Sequence, residues 1–369
     1  MKKIAVTGAG GFIGKNIMVR LTEEGYDPIP IKRELNVDLL AEKFASVDFV
    51  IHLAGVNRPE HDQEYETGNL GMSERVVSAL RKLDRPIPIF YSSSIQAEMD
   101  NPYGRSKRAA ENALQRYGDE TGAPVHIWRL PNVFGKWCRP NYNSVVATFC
   151  NNIAQGLPIN VRDPAARLHL VYVDDVVDAV LRLISADGNS PVTLEPVYDT
   201  TVGELATSIQ AFRDSRHSLV TGPVGSGLQR ALHATYLSYL RPADFAYSLE
   251  THEDPRGTFT EMLRTPDAGQ FSFFTAHPGV RRGGHYHHSK TEKFLVVQGK
   301  AQFGFRHIQT NETYTIETCG DKPMIVETVP GWSHDITNVG EDLLIVLLWA
   351  NEIFDRGRPD TYAAEVLPQ

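Results

Sequence analysis

The sequence predicts two folds in tandem, a doubly wound α/β domain on a parallel sheet and, after it, an all-β barrel or jelly roll. Three observations predict this. Short apolar runs alternate with stretches of helical periodicity to about residue 212. A glycine-rich turn, TGAGGFIG, falls between the first apolar run and the first helix. Beyond about Ala246 the helical period fades into short β-rich runs separated by Gly, Asn or Asp.

Taken in order, Ile4 to Thr7 reads as a strand, Ile13 to Glu24 as a helix and Pro28 to Lys32 as a strand. A helix follows near Leu39 to Ala45, with strands at Phe49 to Leu53, Ile87 to Ser92 and Val125 to Arg129. Strands spaced by helices of this length build βαβ units, which pair in parallel because each crossover returns the chain to the same end of the sheet. From Arg213 to Pro242 the signal weakens around Gly222, Gly225 and Gly227, and a helix reads only over Gln229 to Leu240, which marks a connecting region. Further β-rich runs cover Phe271 to Ala276, Phe294 to Gln298, Ala301 to His307, Thr313 to Glu317, Met324 to Val329 and Leu343 to Trp349. The expected domains are residues 1–245 and 246–369.

Composition excludes several classes. The chain has 369 residues, 22% charged and 41% hydrophobic, an ordinary globular mixture with ample core. Lys plus Arg number 37 against 45 Asp plus Glu, a net charge of −8 without a basic run, which argues against nucleic acid as a partner. Three cysteines without CxxC spacing (Cys138, Cys150 and Cys319) offer neither a disulfide framework nor a thiolate metal site and fit a reducing cytoplasm. No apolar run has the length of a membrane span or the character of a signal peptide, so neither is expected.

In TGAGGFIG, Gly8, Gly11 and Gly14 recur every three residues. One makes the tight turn, one lets backbone N–H groups approach a pyrophosphate at the helix N-terminus, and one permits close packing of helix on strand. At the end of the second strand, where an acidic residue would hold the ribose 2′-hydroxyl of NAD, stand Lys32 and Arg33. Two cations there suit a 2′-phosphate, so NADPH is expected.

The GxxGxxG spacing, HLAG at His52 to Gly55, YSSS at 91–94 and YGRSK at 103–107 resemble the extended, nucleotide-sugar-modifying branch of the short-chain dehydrogenase/reductase superfamily. That resemblance covers roughly the first 240 residues and implies a Rossmann-type sheet. It also implies cofactor contacts from Gly8, Gly11, Phe12, Ile13, Gly14, Leu53, Ala54 and Gly55, together with Tyr103 and Lys107.

Tyr103 and Lys107 lie four apart, on one face of a helix. A lysine ammonium so placed favours phenolate and is expected to bring the tyrosine toward acid–base duty. In the family the last serine of the YSSS run usually binds the substrate oxygen, which implies Ser94 with Ser93 in reserve. Family dehydratases carry an Asp-Glu pair next, and here Ile95 and Gln96 stand instead, so hydride transfer at a ketone is favoured over elimination. RLPNVFG at 129–135 resembles the segment that borders the substrate and implies a contact from Asn132. Lys136, Arg139, Asn141 and Asn143 lie in the loop beyond, and cations there could meet a diphosphate.

Residues 279–299, GVRRGGHYHHSKTEKFLVVQG, reproduce the first cupin motif in spacing: Gly279, His285, His287, Glu292, Gly299. Alternation on a strand turns His285 and His287 to one side and His288 to the other, and Glu292 joins them across the next turn. PGWSHDITN at 330–338 offers His334 from a later strand. Three imidazoles and a carboxylate suit a divalent transition metal, plausibly Zn²⁺; whether it serves catalysis or structure is open. With those side chains engaged as ligands, His277, Tyr286, His288 and Glu327 are left as candidate bases.

The two halves together resemble the CapF/WbjC type of capsular and O-antigen sugar enzyme. The likeness is carried by HLAGVNRPEHD at 52–62, SSSIQA at 92–97, GKWCRPNYNSVVATFC at 135–150 and HYHHSKTEKFLVVQGK at 285–300. It implies a UDP-linked 2-acetamido-2,6-dideoxy-4-hexulose of L configuration as substrate, with epimerisation at C3 in the cupin and reduction of the C4 ketone by the N-terminal domain. The route leads to UDP-N-acetyl-L-fucosamine. An alternative keeps the reductase alone and makes the cupin a non-catalytic metal-binding dimerisation module. A homodimer is expected in either case.

Overall fold

The computed structural model describes all residues except 187–191, 255–256, 261, 264, 266–268, 353–354, 356 and 368–369. By packing, the chain forms two compact units, Met1–Ser144 with Leu168–Asp199, and Val145–Arg167 with Thr200–Gln369.

The first unit is built on a parallel sheet of β1 (Lys3–Thr7), β2 (Asp27–Ile31), β3 (Phe49–His52), β4 (Ile89–Ser94) and β5 (Val125–Leu130), in the order β2-β1-β3-β4-β5. Pro28 and Pro30 are tolerated in β2 because it is an edge strand, where a missing N–H breaks no inner ladder. Strand order reverses between β1 and β3, and the carboxyl ends of strands at such a switch point form a ligand crevice. Crossovers are made by α1 (Phe12–Glu23), α2 (Val37–Phe44), a short α3 (Gln63–Tyr65) that runs through a π-helical turn into α4 (Gly71–Leu80), and α5 (Pro102–Thr121). Leu40, Phe44, Met72, Val76, Leu80, Leu114 and Tyr117 are buried in one cluster with Ala5, Val50, Ile89 and Tyr91 of the strands. Each such aliphatic side chain stabilises the fold by about 1.5–3 kcal/mol.

Strand β4 starts two residues later than the apolar run predicts. Pro86 and Pro88 have no N–H to give a ladder, and both backbone groups of Ile87 are taken by the Tyr117 hydroxyl, at 3.0 and 3.1 Å. Pairing therefore begins at Ile89 and carries Ser92, Ser93 and Ser94 into the strand's carboxyl end.

β6 (Asn132–Phe134) pairs in parallel with β7 (Arg167–Tyr172); α6 (Val145–Ala154), α7 (Val173–Ser185), β8 (Tyr198–Thr201), α8 (Val202–Ser218) and α9 (Gly227–Leu237) complete the helical part. In the second unit α6, α8 and α9 pack on one another. The rest of it is antiparallel: β9 (Ala246–Ser248), a hairpin of β10 (Thr251–Asp254) and β11 (Gly257–Thr260), then β12 (Gln270–Ala276), β13 (Arg281–Tyr286), β14 (Glu292–Gln298), β15 (Lys300–His307), β16 (Thr313–Cys319), β17 (Met324–Glu327), β18 (Trp332–Asn338), β19 (Leu344–Ala350) and β20 (Tyr362–Ala363). Two five-stranded sheets result, β12-β19-β14-β17-β9 and β16-β15-β18-β13-β20, which make the jelly roll expected from the β-rich runs. Helices give way to strands near residue 245, while α8 and α9 group with the barrel in packing. Among the described residues no helix is long and apolar enough to cross a membrane, and no disulfide joins the three cysteines.

Candidate functional site

The glycine turn sits at the carboxyl end of β1. Gly8 has φ +68°, and a Cβ there would lie 2.8 Å from the Ala54 nitrogen; a Cβ on Gly14 would lie 2.1 Å from the Gly8 carbonyl oxygen. Only glycine therefore lets the turn lie against the HLAG segment and α1 start beneath it. Gly11 caps α1 with no side-chain hydrogen bond, and the first turn holds no acidic residue, so its amides and helix dipole are free for an anion. A cavity of about 830 Å³ opens above, lined on this side by Gly10, Gly11, Phe12, Ile13, Leu53 and Gly55. This cradle fits the diphosphate of a dinucleotide. Gly8, Gly14 and Ala54 support the turn from behind, outside the lining. Lys32 and Arg33 are exposed just past β2 and are not among the lining residues.

The facing wall brings Ser92, Ser93, Ser94, Tyr103 and Lys107 to the same cavity. Asn101 starts α5 by accepting from the Gly104 amide at 2.7 Å, with Pro102 in the first turn, and this fixes the helix that carries Tyr103 and Lys107. The Tyr103 hydroxyl donates to Asn57 Oδ1 at 3.2 Å, and its ring packs on Tyr65 with centroids 5.5 Å apart. Burial pushes its pKa up, and a hydrogen bond with Ser94 works against that rise. The lowering expected from Lys107 is not what the geometry gives. The Lys107 ammonium donates to the Ser92 carbonyl at 2.7 Å and to the Tyr91 hydroxyl at 3.2 Å; burial brings it down to about 8, with Glu111 acting the other way. Tyr103 is thus held as phenol, the form that gives a proton.

Of the predicted substrate contacts, Asn132 and Arg139 line the cavity, as does Asn143, and Arg139 lies 5.2 Å from the centroid of the Tyr142 ring. Asn141 is exposed at φ +54° and does not line it. Lys136 corrects the sequence reading. It is fully buried, and its ammonium is bonded to Asp174 at 2.6 Å, because a buried cation needs a carboxylate; it has no free face for a diphosphate. Sequence reasoning missed Asn57, Tyr65, Trp137 and Tyr142. Asn57 had a signal, since it stands two residues beyond HLAG in a segment already noted for its resemblance.

In the barrel, His285 and His334 are register partners on β13 and β18 just past a register shift between Gly283 and His285, and alternation carries His287 onto the same side as His285. Glu292 opens β14. One ligand atom from each of these four residues lies within 4.8 Å of all the others. His287 Nδ1 donates to the Asp360 carbonyl at 2.6 Å, which sets the tautomer and leaves Nε2, 3.1 Å from Glu292, toward the cluster. Buried His334 has no hydrogen-bond partner at Nδ1, and its Nε2 stands 3.5 Å from the Glu292 carboxylate. Burial opposes ionisation of Glu292, yet His287 and His334 hold its carboxyl well below the usual range; burial, with His334 and His287 adding, takes His285 down to about 3. Three imidazoles, one carboxylate and an orphaned buried nitrogen fit a divalent cation. The Asp360 carboxylate also accepts from the amides of His288, Ser289 and Lys290 at 2.8–3.0 Å, clamping the loop between the ligands.

A cavity of about 190 Å³ beside the cluster is lined by His285, Glu292 and His334 with Phe274, Arg282, Phe294 and Ile336. None of the four candidate bases is among its lining residues. Tyr286 and His288 pack against the Tyr362 ring, His288 at its edge, and His277 is exposed. Glu327 is bonded to Lys293 and Arg216, which hold its carboxyl well below the usual range against the effect of burial.

The family model described as NAD dependent epimerase/dehydratase family matches residues 4–194, and that described as Polysaccharide biosynthesis C-terminal domain matches residues 252–362. A UDP-2-acetamido-2,6-beta-L-arabino-hexul-4-ose reductase of Pseudomonas aeruginosa is 57% identical over 367 residues, spanning 99% of each chain. Among solved structures, the capsular polysaccharide assembling protein CapF from Staphylococcus aureus is 42% identical, with TM-score 0.67, over 98% of this chain and 100% of that one. CapF with the inhibitor 3-isopropenyl-tropolone is 37% identical, with TM-score 0.59, over 99% and 100%.

Proposed function

This chain belongs to the NAD dependent epimerase/dehydratase family and carries a polysaccharide biosynthesis C-terminal domain, and on that premise we propose that it is an NADPH-dependent reductase of a UDP-linked 4-keto sugar. The substrate would be UDP-2-acetamido-2,6-dideoxy-L-arabino-4-hexulose. The barrel would epimerise C3, and the N-terminal domain would then reduce the C4 ketone to UDP-2-acetamido-2,6-dideoxy-L-talose, toward UDP-N-acetyl-L-fucosamine for capsule or O-antigen. Residues 1–245 would be the reductase and 246–369 the cupin, in a cytoplasmic enzyme. The observation that carries the reading is the convergence of Ser94, Tyr103 and Lys107 with the glycine turn on one cavity.

When bound, the reduced nicotinamide supplies the hydride for C4. The chain's residues handle the oxygen. Ser94 hydrogen-bonds the ketone oxygen, and Tyr103, held as phenol, gives its proton as the oxygen becomes an alkoxide. Solvent then reprotonates Tyr103, and the Lys107 ammonium lies in the same cavity, held by the Ser92 carbonyl and the Tyr91 hydroxyl. Arg139 binds the diphosphate, and Lys32 and Arg33 would favour a 2′-phosphate over a hydroxyl. In the barrel, His285, His287, Glu292 and His334 would hold the divalent metal, plausibly Zn²⁺, which as a Lewis acid at the ketone oxygen makes the neighbouring C3 hydrogen acidic.

The absence of the four candidate bases from the barrel cavity's lining favours a second reading, in which only the reductase works and the barrel is a metal-binding dimerisation module. Tyr103→Phe in the full chain separates the two. We expect it to lower NADPH oxidation by about a hundredfold or more, with deuterium from solvent still entering C3 of the sugar. No exchange at C3 would leave the reductase alone, and undiminished NADPH oxidation would overturn the site.

A further inference from the structure

We infer that Tyr91, which does not line the reductase cavity, is a positioning residue for Lys107, with its hydroxyl as the end of a buried side-chain chain that starts at the glycine turn. Tyr91 is wholly buried on β4, and Lys107 is 4% exposed. The ammonium donates to the Tyr91 hydroxyl at 3.2 Å and stands 4.6 Å from the ring centroid. A lysine only donates, so the phenol oxygen accepts and its own hydrogen must go elsewhere. The Ser73 hydroxyl of α4 is its other hydrogen-bonding neighbour.

The rest of the chain has its polarity fixed. Ser73 gives its hydrogen to the Asn69 carbonyl at 2.9 Å, which leaves its lone pairs to accept from Tyr91 and from His52 Nε2, also at 2.9 Å. Thr7 Oγ1 accepts from the amides of Leu53 and Ala54, each at 3.1 Å, so the Thr7 hydrogen points at His52 Nδ1, 2.7 Å away. His52 therefore carries its proton on Nε2 and stays neutral; burial, with the Lys107 charge adding to it, takes it down to about 3. Its ring stacks on Tyr91 with centroids 5.2 Å apart. Each hydroxyl and ring hydrogen has one acceptor, and the Tyr91 oxygen can only accept from Lys107. Thr7 of β1, His52 of β3 and Ser73 of α4 thereby set where the ammonium on α5 sits.

The groups facing Lys107 are His52 from β3, Tyr91 and the Ser92 carbonyl from β4, and Glu111 from its own helix. Glu111 favours the ammonium, and burial opposes it. A hydrogen bond made only by the charged form also favours it, so removal of the Tyr91 hydroxyl moves the lysine titration downward. The catalytic consequence rests on the reductase reading, whereas the titration does not.

The test is the pH dependence of Lys107 reductive methylation by formaldehyde and cyanoborohydride in the full chain, read by peptide mass spectrometry, because only the free amine reacts. Tyr91→Phe keeps the ring and removes the hydroxyl. We expect its midpoint to fall by about one pH unit, and the alkaline limb of kcat/KM for ketone reduction to fall with it. An unchanged midpoint in the folded variant overturns the inference. If that variant does not fold, Ser73→Ala removes the acceptor of the Tyr91 hydrogen; a smaller fall in the same direction supports the inference, and no fall overturns it. Wild-type protein that reduces no UDP-4-keto sugar sinks the functional reading instead, and leaves the methylation result standing.

Discussion

Ser93 donates to Glu111, and the same carboxylate is gripped by Arg129 at 2.7 Å, so the Ser93 hydroxyl is spent in a network at the foot of α5. Ser94 has its side chain at the carboxyl end of β4, bonded to the amide of Gln96 at 3.2 Å and beside Tyr103. The family resemblance implied Ser94 with Ser93 in reserve, and this geometry supports that order. Ser94→Ala should lower kcat for ketone reduction about a hundredfold with little change in stability. Ser93→Ala should act mainly on stability, leaving a buried Glu111 oxygen short of a donor at about 1–3 kcal/mol, read by urea denaturation. Spacing could not separate these serines, because alternation says which way a side chain points and not who meets it there. Lys136 failed for the same reason: its partner, Asp174, lies 38 residues away.

At the scale of elements, the glycine turn, the helix with Tyr103 and Lys107 and the strands that carry His285, Glu292 and His334 were legible, because each is written in a short local pattern. The edge position of β2 was legible only in part, through its prolines. What stayed hidden is long-range pairing, as in the buried cluster where Arg216 of α8 and Lys293 of β14 both meet Glu327 of β17 while Tyr247 of β9 accepts from Lys293 at 2.8 Å. Single-letter patterns show three charged residues and no sign that they share one pocket. Glu327→Gln strands two buried cations and should cost about 3–5 kcal/mol, measured by guanidinium denaturation. The native pKa of Glu327 lies near 2, below the ordinary 4.5. Its contribution to stability is therefore complete above about pH 4.5 and lost as pH falls toward 2, so the wild-type advantage over the variant should shrink across that window.

At the scale of the whole molecule, the order of the two folds was readable from the change in periodicity near residue 246. That α8 and α9 pack in one unit with the barrel was not, since an amphipathic helix does not name its partner. We expect one divalent metal per chain by elemental analysis, lost in His285→Ala; a wild-type chain purified with an empty barrel, unable to take up Zn²⁺, would remove that centre. The expected homodimer has a candidate face. Phe271 and Phe273 of edge strand β12 are 55% and 69% exposed, and Leu347, paired with Phe273, is 37% exposed. Phe273→Asp should shift sedimentation from dimer to monomer, and an unaltered dimer would place the contact elsewhere.

Asp360 ties His287 and the loop after it from 70 or more residues downstream. During translation the ribosome must pass that codon before the imidazole can be locked in its tautomer, so the cluster of His285, His287, Glu292 and His334 is completed well after the glycine turn has emerged. A protease nick between 357 and 359 would leave all four residues of the cluster in the chain and still loosen the hold on His287.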